Sequence, residues 1–509
     1  MYMNNYPPHI LSKIIVLKTI TIESVNKIIC AAKAEGLLGK SLRGSGFLAI
    51  GSFIENLGRF VRNIILARLL APEAFGIMAT IMASVAVIEA TTQVGLRQST
   101  IQNKRGGEEE FLNAVWWISS LRGLALYIIA FFASPYISAY FGQPDATNLL
   151  RIGFLVILIN GLISPCVYLL EKELQFKKWV TLMQGAAISG VIIAVVSAFF
   201  LRNVWALILG FLSESFLRFV ISFIFYPIKP KFKVTREYSG NVLQFSKKMF
   251  GLPLLMMIYA QLDIYVIGKV LSMKVLGMYV LVRSLADMPS TFFSKIADPI
   301  ILPVFSKIQD NILEIRNILF KATKFAGYFL IPLACFLIFF AKPVLRLVYG
   351  KAYAALAIPF AIMNISVLIL MMASMIIQVY FAVGQPNLHR NASIVRTVTF
   401  ILLIYPATKI FGLTGTALAS LIAMCLLISI QIIYARRLLN FSTLEYLSKW
   451  LPGLQVSIII IIPGVLLNIF FEIEGLCFLI LGAVLCFIAW GFSAVKIMLY
   501  HHEKSEKSA

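Results

Sequence analysis

The chain has 509 residues, of which 60% are apolar and only 13% are charged. A soluble domain is usually about 45–50% apolar and about 25% charged, so this composition excludes an ordinary soluble enzyme and favours a protein embedded in lipid. The 45 lysines and arginines outnumber the 23 acids and give a formal net charge of +22. No nucleic-acid partner is expected, because nucleic-acid binding needs a basic patch on a soluble fold, whereas these charges lie between apolar runs.

The apolar runs predict an all-α integral membrane protein with about fourteen transmembrane helices, since a spanning helix needs about 20 mostly apolar residues. The connections between the runs are short and leave no room for a soluble domain. The candidate spans cover residues 44–66, 75–98, 113–134, 149–170, 179–200, 203–226, 247–269, 276–303, 322–341, 353–383, 391–410, 413–434, 451–471 and 476–498.

The positive charges predict the orientation of these spans, because cytoplasmic loops collect lysine and arginine. With the N-terminus inside, the cytoplasmic connection 227–248 carries six basic residues, and the outside connection 135–148 carries none. One outside loop, at 342–351, disagrees with three basic residues. The pattern as a whole predicts a multi-pass protein with both termini in the cytoplasm.

An internal repeat predicts that the chain is built from two related halves. Residues 67–76, ARLLAPEAFG, match residues 268–277, GKVLSMKVLG, and STIQN at 99–103 matches SKIQD at 306–310. Six predicted spans separate the members of each pair. Because an even number of crossings preserves orientation, we predict two parallel six-helix lobes followed by a C-terminal helix pair.

The repeat and the spans together predict the domain organisation. Apolar and charged residues alternate near the N-terminus, which favours a helix lying on the inner leaflet, although a dispensable extension is equally compatible with the pattern. The predicted divisions are a cytoplasmic or interfacial extension (1–43), an N-lobe (44–226), a cytoplasmic linker (227–246), a C-lobe (247–437), an extra helix pair (450–498) and a cytoplasmic tail (499–509).

Charged residues inside the predicted spans are the main functional signal, because each one costs about 2.5–3.5 kcal/mol to place at the bilayer centre. Three acid–base pairs have four-residue spacing, which puts the two charges on one helix face: Glu55 with Arg59, Glu214 with Arg218, and Arg283 with Asp287. Such pairs can neutralise each other. They could serve only to hold helices together, or they could line a shared polar interior.

Charged residues lie on the first, second, seventh and eighth spans, which are the first two spans of each half. We therefore predict that they line one cavity between the lobes. Arginine suits a phosphate or pyrophosphate group because its guanidinium binds in a forked, bidentate geometry. Snorkelling to the membrane interface is the alternative for Arg122 and Arg396, which lie near span ends. The candidate substrate-binding residues are Arg59, Arg62, Arg122, Arg218, Arg283 and Arg396, and the candidate coupling-ion residues are Glu55, Glu89, Glu214, Asp263 and Asp287.

The sequence contains no recognisable catalytic or metal-binding arrangement. The six cysteines are scattered without a C-x-x-C spacing, and only four histidines occur. We therefore expect no enzyme activity, no metal site and no cofactor.

Three segments resemble the polysaccharide transporter family of Wzx-type oligosaccharide flippases, within the multidrug/oligosaccharidyl-lipid/polysaccharide exporter superfamily. They are Gly44-Ser45-Gly46, the ARLLAPEAFG turn at 67–76, and PVFSKIQD at 303–310. The resemblance extends over about residues 41–500. It implies a flippase for undecaprenyl-pyrophosphate-linked oligosaccharide repeat units, acting by alternating access through a central cationic cavity in the bacterial inner membrane.

The same resemblance implies a role in the synthesis of a surface polysaccharide, such as O-antigen, capsule or exopolysaccharide. The implied partners are the lipid-linked oligosaccharide, membrane lipid, and the polymerase and chain-length proteins of the same pathway. Two alternatives stay open. A multidrug or cation antiporter of the same superfamily would favour a more acidic cavity, and a membrane-bound polysaccharide polymerase would need a large outside loop.

Overall fold

The fold is all-helical, as the sequence predicts. The computed structural model describes residues 37–91, 96–103, 105–225, 231, 252–470 and 476–506, and within these ranges no strand occurs. Most of the predicted N-terminal extension (1–43) and nearly all of the predicted linker (227–246) lie outside the described residues.

Ten helices make up the described part of the chain as far as residue 225. A 3-10 turn at Pro144–Ala146 precedes the fifth helix, and a π-helical turn at Thr181–Gly185 joins the eighth to the ninth. The helices are α1 (Leu37–Leu69), α2 (Pro72–Thr91), α3 (Leu96–Gln102), α4 (Glu109–Tyr140), α5 (Thr147–Gly153), α6 (Leu155–Leu162), α7 (Val167–Lys172), α8 (Phe176–Val180), α9 (Ala186–Leu201) and α10 (Trp205–Phe225).

Ten more helices follow from residue 252 onward in the described residues. A 3-10 turn at Lys351–Leu356 leads into the sixth of them. They are α11 (Leu252–Val270), α12 (Met273–Ala286), α13 (Met288–Lys307), α14 (Ile312–Phe339), α15 (Ala341–Tyr349), α16 (Ala357–Ala382), α17 (Pro386–Leu439), α18 (Thr443–Ser448), α19 (Leu451–Phe470) and α20 (Leu476–Glu506).

The helices are those of a multi-pass membrane protein. In the described residues, eight helical segments are long and apolar enough to cross a membrane, and α19 and α20 contain shorter apolar stretches. Helical structure makes up most of the described residues in each of the fourteen predicted ranges. The longest element, α17, covers 54 residues and two predicted spans, and non-helical backbone at Gly412 divides it into two helical arms. The count of fourteen crossings stays a prediction.

Several predicted helix boundaries differ from the structure, and the predicted fourth span, 149–170, is divided among α5, α6 and α7. The first helix begins at Leu37, before the predicted start at residue 44. The predicted eighth span, 276–303, is two helices that meet at Asp287, with Pro289 in the first turn of α13. Proline lacks a backbone N–H, so it fits the first turn of a new helix better than the middle of a continuous one.

The helix α2 packs against α11 and α12 and so joins the two halves of the repeat. A Cβ atom on Gly76 would lie 2.2 Å from the carbonyl oxygen of Met273, and one on Gly277 would lie 1.8 Å from that of Pro72. The contact is reciprocal, because Gly277 and Met273 are the repeat counterparts of Gly76 and Pro72. We call this close approach of α2 and α12 the glycine contact; only glycine allows backbones to come so near.

Candidate functional site

Arg59 on α1 binds carboxylates from two helices. Its Nη2 donates to Oε1 of Glu214 on α10 at 2.7 Å, and its Nε donates to Oε1 of Glu55 at 3.2 Å. Arg218, one turn beyond Glu214, donates to the same carboxylate oxygen. Two of the predicted pairs therefore form, and they merge into one ionic cluster in which two guanidinium groups neutralise the buried Glu214.

Arg62 lies one turn further along α1 and has a different environment. Its Nε and Nη2 donate to Oδ1 of Asn63 at 3.3 and 3.1 Å. Among the described residues no carboxylate lies within ion-pair distance of its guanidinium. Arg62 therefore adds a positive charge that its neighbours do not cancel.

Arg59 and Arg62 face a cavity of about 380 Å³ between α1, α2 and the α12–α13 break, which we call the first cavity. The glycine contact lies beside one end of this cavity, since Phe75, the neighbour of Gly76, lines it. Toward the other end, the rings of Phe53 and Phe292 are 5.4 Å apart. The polar groups that line it are Asn56, Arg59, Arg62, Asn63, Ser284, Asp287 and Thr291.

A second ionic cluster joins α11 to α12. The carboxylate of Asp263 is buried and accepts hydrogen bonds from the Tyr279 hydroxyl at 2.6 Å and from Nη1 of Arg283. In addition, Nε of Arg283 lies 3.6 Å from Oδ2 of Asp287. The third predicted pair is thus present, but the closer partner of Arg283 is the carboxylate of Asp263, which lies twenty residues earlier in the chain.

This second cluster borders another cavity, of about 370 Å³, between α11, the α12–α13 break, α16 and α17, which we call the second cavity. Asp287 and Thr291 line both cavities, so the two are neighbours around the break between α12 and α13. The polar groups of the second cavity are Tyr259, Asp263, Tyr279, Arg283, Asp287, Ser290, Thr291, Ser366, Arg396 and Ser420.

Glu89 and Arg122 lie apart from both cavities. Nη2 of Arg122 on α4 donates to the backbone oxygen of Glu89 at 2.8 Å, and the Asn160 amide on α6 donates to the Glu89 carboxylate at 3.2 Å. These bonds tie α2, α4 and α6 together. The structure therefore divides the predicted site residues among three places and does not gather them in one cavity.

Several residues of the second cavity carry no signal in the sequence. Ser366 and Ser420 lie in long, mainly apolar helices that contain other polar residues, and nothing in their spacing distinguishes them from helix-capping or packing serines. Tyr279 could have been found, because it precedes Arg283 by four residues and so shares its helix face. Tyrosine is common in apolar helices, however, and that spacing alone is a weak signal.

The two cavities offer the chemistry of anion recognition. They combine guanidinium groups with hydroxyl and amide groups, which bind phosphate, carboxylate and sugar oxygens. Within the described ranges no group of three or more His, Cys, Asp and Glu side chains converges as a metal site would require. The carboxylates that line the cavities, Asp263 and Asp287, both pair with Arg283.

The sequence is similar to those of proteins of polysaccharide biosynthesis. The sequence profile of a family described as "Polysaccharide biosynthesis protein" matches residues 65–358. The lipopolysaccharide biosynthesis protein WzxC of Escherichia coli is 23% identical over 418 residues, 81% of this chain and 85% of WzxC. A membrane protein of the cps region of Klebsiella pneumoniae is 24% identical over 76% of this chain and 80% of its own length.

Solved structures show the same fold. The lipid II flippase MurJ, in an inward closed conformation, superposes with a TM-score of 0.73 at 17% identity, covering 88% of this chain and 98% of MurJ. A multidrug resistance MATE family transporter in an inward-facing conformation gives a TM-score of 0.58 at 15% identity, covering 78% of this chain and 99% of that transporter. At these identities the likeness concerns the fold alone.

Proposed function

The chain belongs to the family of polysaccharide biosynthesis proteins, and from this membership we propose that it is a flippase for lipid-linked oligosaccharides. The membership confirms the resemblance of its sequence motifs to the polysaccharide transporter family. A transport role is further supported by a Rhizobium meliloti relative named as a succinoglycan biosynthesis transport protein, 24% identical over 58% of this chain and 60% of its own length.

The proposed substrate is an undecaprenyl-pyrophosphate-linked oligosaccharide repeat unit, moved across the bacterial inner membrane for the synthesis of a surface polysaccharide. The observation that carries this proposal is the first cavity, which lies between the repeat-related halves and contains Arg62 without a carboxylate partner among the described residues. A guanidinium in that state is suited to bind a pyrophosphate bidentately. The lipid tail would stay in the bilayer throughout.

The proposed mechanism is alternating access, in which the two halves rock around the first cavity. Opening toward one side requires α2 and α12 to separate at the glycine contact. Opening toward the other side requires Phe53 and Phe292 to part. Pro289 cannot donate the backbone hydrogen bond of a continuous helix, so the junction at Asp287 is proposed as the point at which α12 and α13 bend relative to each other.

The acids of the ionic clusters are proposed to couple transport to an ion. A proton or sodium ion that neutralised Glu214 or Asp263 would release an arginine from its carboxylate. The freed guanidinium could then bind the substrate anion. Coupling would thus exchange one partner of an arginine for another without leaving a bare charge in the membrane.

The proposed function is tested in a strain that lacks this protein and is complemented by variants of it. We expect Arg62→Ala to accumulate complete lipid-linked repeat units on the inner leaflet at normal levels of the protein in the membrane. The matched control is Arg151→Ala, since Arg151 stacks on Phe131 at 4.4 Å and lines neither cavity.

Three outcomes would contradict the proposed function. Incomplete repeat units would indicate a biosynthetic enzyme, and complete units exposed on the outer leaflet would indicate a polymerase. Unimpaired export in the deletion strain, together with new sensitivity to cationic drugs, would indicate a multidrug antiporter.

A further inference from the structure

Arg396 on α17 is a buried cation without an anionic partner. Its residue surface is only 9% exposed, and its Nε is fully buried without a hydrogen bond. Among the described residues it forms no ion pair. A buried charge in this state is costly unless a counter-charge compensates it.

The orientation of Arg396 leaves its hydrogen-bonding edge available. The central carbon of its guanidinium lies 4.0 Å from the ring centroid of Tyr259 on α11, so one face of the group is stacked. The N–H groups of a guanidinium lie in its plane and point away from a stacked ring. Stacking therefore holds Arg396 in place without using its donors.

The acids of the second cavity do not supply the missing charge. Asp263 accepts from both Arg283 and Tyr279, and Asp287 pairs with Arg283. Arg283 is thus matched by two carboxylates, whereas Arg396 in the same cavity is matched by none in the described residues. The anion for Arg396 has to come from outside the described protein groups.

The rest of the second cavity suits a sugar. The Ser290 hydroxyl donates to the backbone oxygen of Asp287, and the Ser366 hydroxyl donates to that of Ile362, which leaves their lone pairs free to accept from ligand hydroxyls. The volume of about 370 Å³ falls in the range of about 300–1,000 Å³ that is usual for small-molecule pockets.

We propose that the second cavity is a subsite for an acidic sugar of the lipid-linked repeat unit, with Arg396 binding the sugar carboxylate. This inference rests on the proposed flippase function. Because Asp287 and Thr291 line both cavities, one ligand can place its pyrophosphate at Arg62 and its acidic sugar at Arg396. The protein is thereby selective for repeat units that carry a carboxylate.

The inference is tested by binding two synthetic lipids to the purified full-length protein in nanodiscs. The probes are farnesyl-pyrophosphate-linked glucose and farnesyl-pyrophosphate-linked glucuronic acid, which differ only in the C6 carboxylate. We expect the wild type to bind the glucuronyl probe about tenfold more tightly, as a charge-assisted hydrogen bond provides. Arg396→Gln should lower the affinity for the glucuronyl probe about tenfold and the affinity for the glucosyl probe far less.

The controls separate this inference from the proposed function. Arg62→Gln should lower the affinity for both probes equally, because Arg62 is proposed to bind the pyrophosphate that both probes carry. Equal binding of both probes by the wild type overturns the acidic-sugar subsite alone, and it does so even if Arg396→Gln fails to fold. If Arg396→Gln lowers the affinity for both probes equally, the acidic-sugar subsite is also overturned, and Arg396 binds the pyrophosphate instead. If neither probe binds the wild type, the proposed function itself fails.

Discussion

Glu214 is the residue on which the first ionic cluster depends. One of its carboxylate oxygens accepts from Arg59 on α1 and from Arg218 on its own helix. Without that carboxylate, two guanidinium groups would face each other in a largely buried setting. Removal of one partner from a buried ionic group is strongly destabilising, because it leaves uncompensated charge.

We therefore expect Glu214→Gln to lower the free energy of unfolding by about 3 kcal/mol, toward the lower end for buried pairs because both arginines are partly exposed. Thermal unfolding of the purified protein in detergent measures the loss. The double variant Glu214→Gln/Arg218→Gln should recover part of it, since it restores the charge balance. An unchanged unfolding temperature in the single variant would contradict the role given to Glu214.

The exposed pair of Arg97 and Glu171 is the matched comparison. It is bidentate, with Nε of Arg97 donating to Oε2 of Glu171 at 2.8 Å and Nη2 donating to Oε1, but the Arg97 side chain is half exposed. Exposed ion pairs contribute only about 0–1 kcal/mol. We expect Glu171→Gln to change the free energy of unfolding by less than about 1 kcal/mol in the same experiment.

At the scale of elements, α17 is interrupted at a single glycine. Gly412 has φ 59° and ψ −139°, a conformation that is open to glycine and strained for any residue with a Cβ atom. The hydrogen bond between the Thr408 and Thr416 hydroxyls, 2.7 Å long, bridges the two sides of the interruption. The two arms of α17 are thus set at a fixed angle by one backbone position and one side-chain contact.

We predict that Gly412→Ala destabilises the protein by about 1–3 kcal/mol, because alanine cannot adopt this conformation without strain. The matched control is Gly491→Ala in α20, where a Cβ atom would meet nothing within 4 Å. Since alanine favours a helix by up to about 1 kcal/mol over glycine, that variant should be neutral or slightly stabilised. Equal unfolding temperatures for the two variants would contradict the prediction.

At the scale of the whole molecule, we predict that the glycine contact closes one end of the first cavity. A Cβ atom at Gly277 would overlap the carbonyl oxygen of Pro72, so Gly277→Ala must push α2 and α12 apart. We expect this variant to shift the population toward a state that is open at that end. Because Ser284 lines the first cavity, a cysteine introduced there reports on access.

The measurement is labelling of Ser284→Cys by a membrane-impermeant maleimide, in a background without the native cysteines. Labelling from the side of the glycine contact should rise several-fold when Gly277→Ala is added. Gly58→Ala on α1 is the control, because a Cβ atom at Gly58 meets nothing within 4 Å. Unchanged labelling with Gly277→Ala would mean that the glycine contact does not close the cavity.

Sequence patterns predict the helices, the internal repeat and the contacts within one helix. They predict few of the contacts between residues that are distant in the chain. Apolar runs indicate the helices, and four-residue spacing indicates pairs such as Glu55 with Arg59. The pairing of Asp263 with Arg283 joins two helices, and no periodicity in one helix indicates it. Helix packing also places Glu89 with Asn160 and away from the cavities, although its charge alone put it among the site candidates.

The glycine contact has the form that two identical subunits would make across a two-fold axis. In a homodimer such an isologous contact uses the same residues twice, so every substitution alters both sides at once. Here both copies belong to one chain, and the counterpart of Glu73 is Lys274. Because both halves belong to one chain, a residue can differ between them. One half can therefore present Arg62 to a ligand while the other presents Arg396.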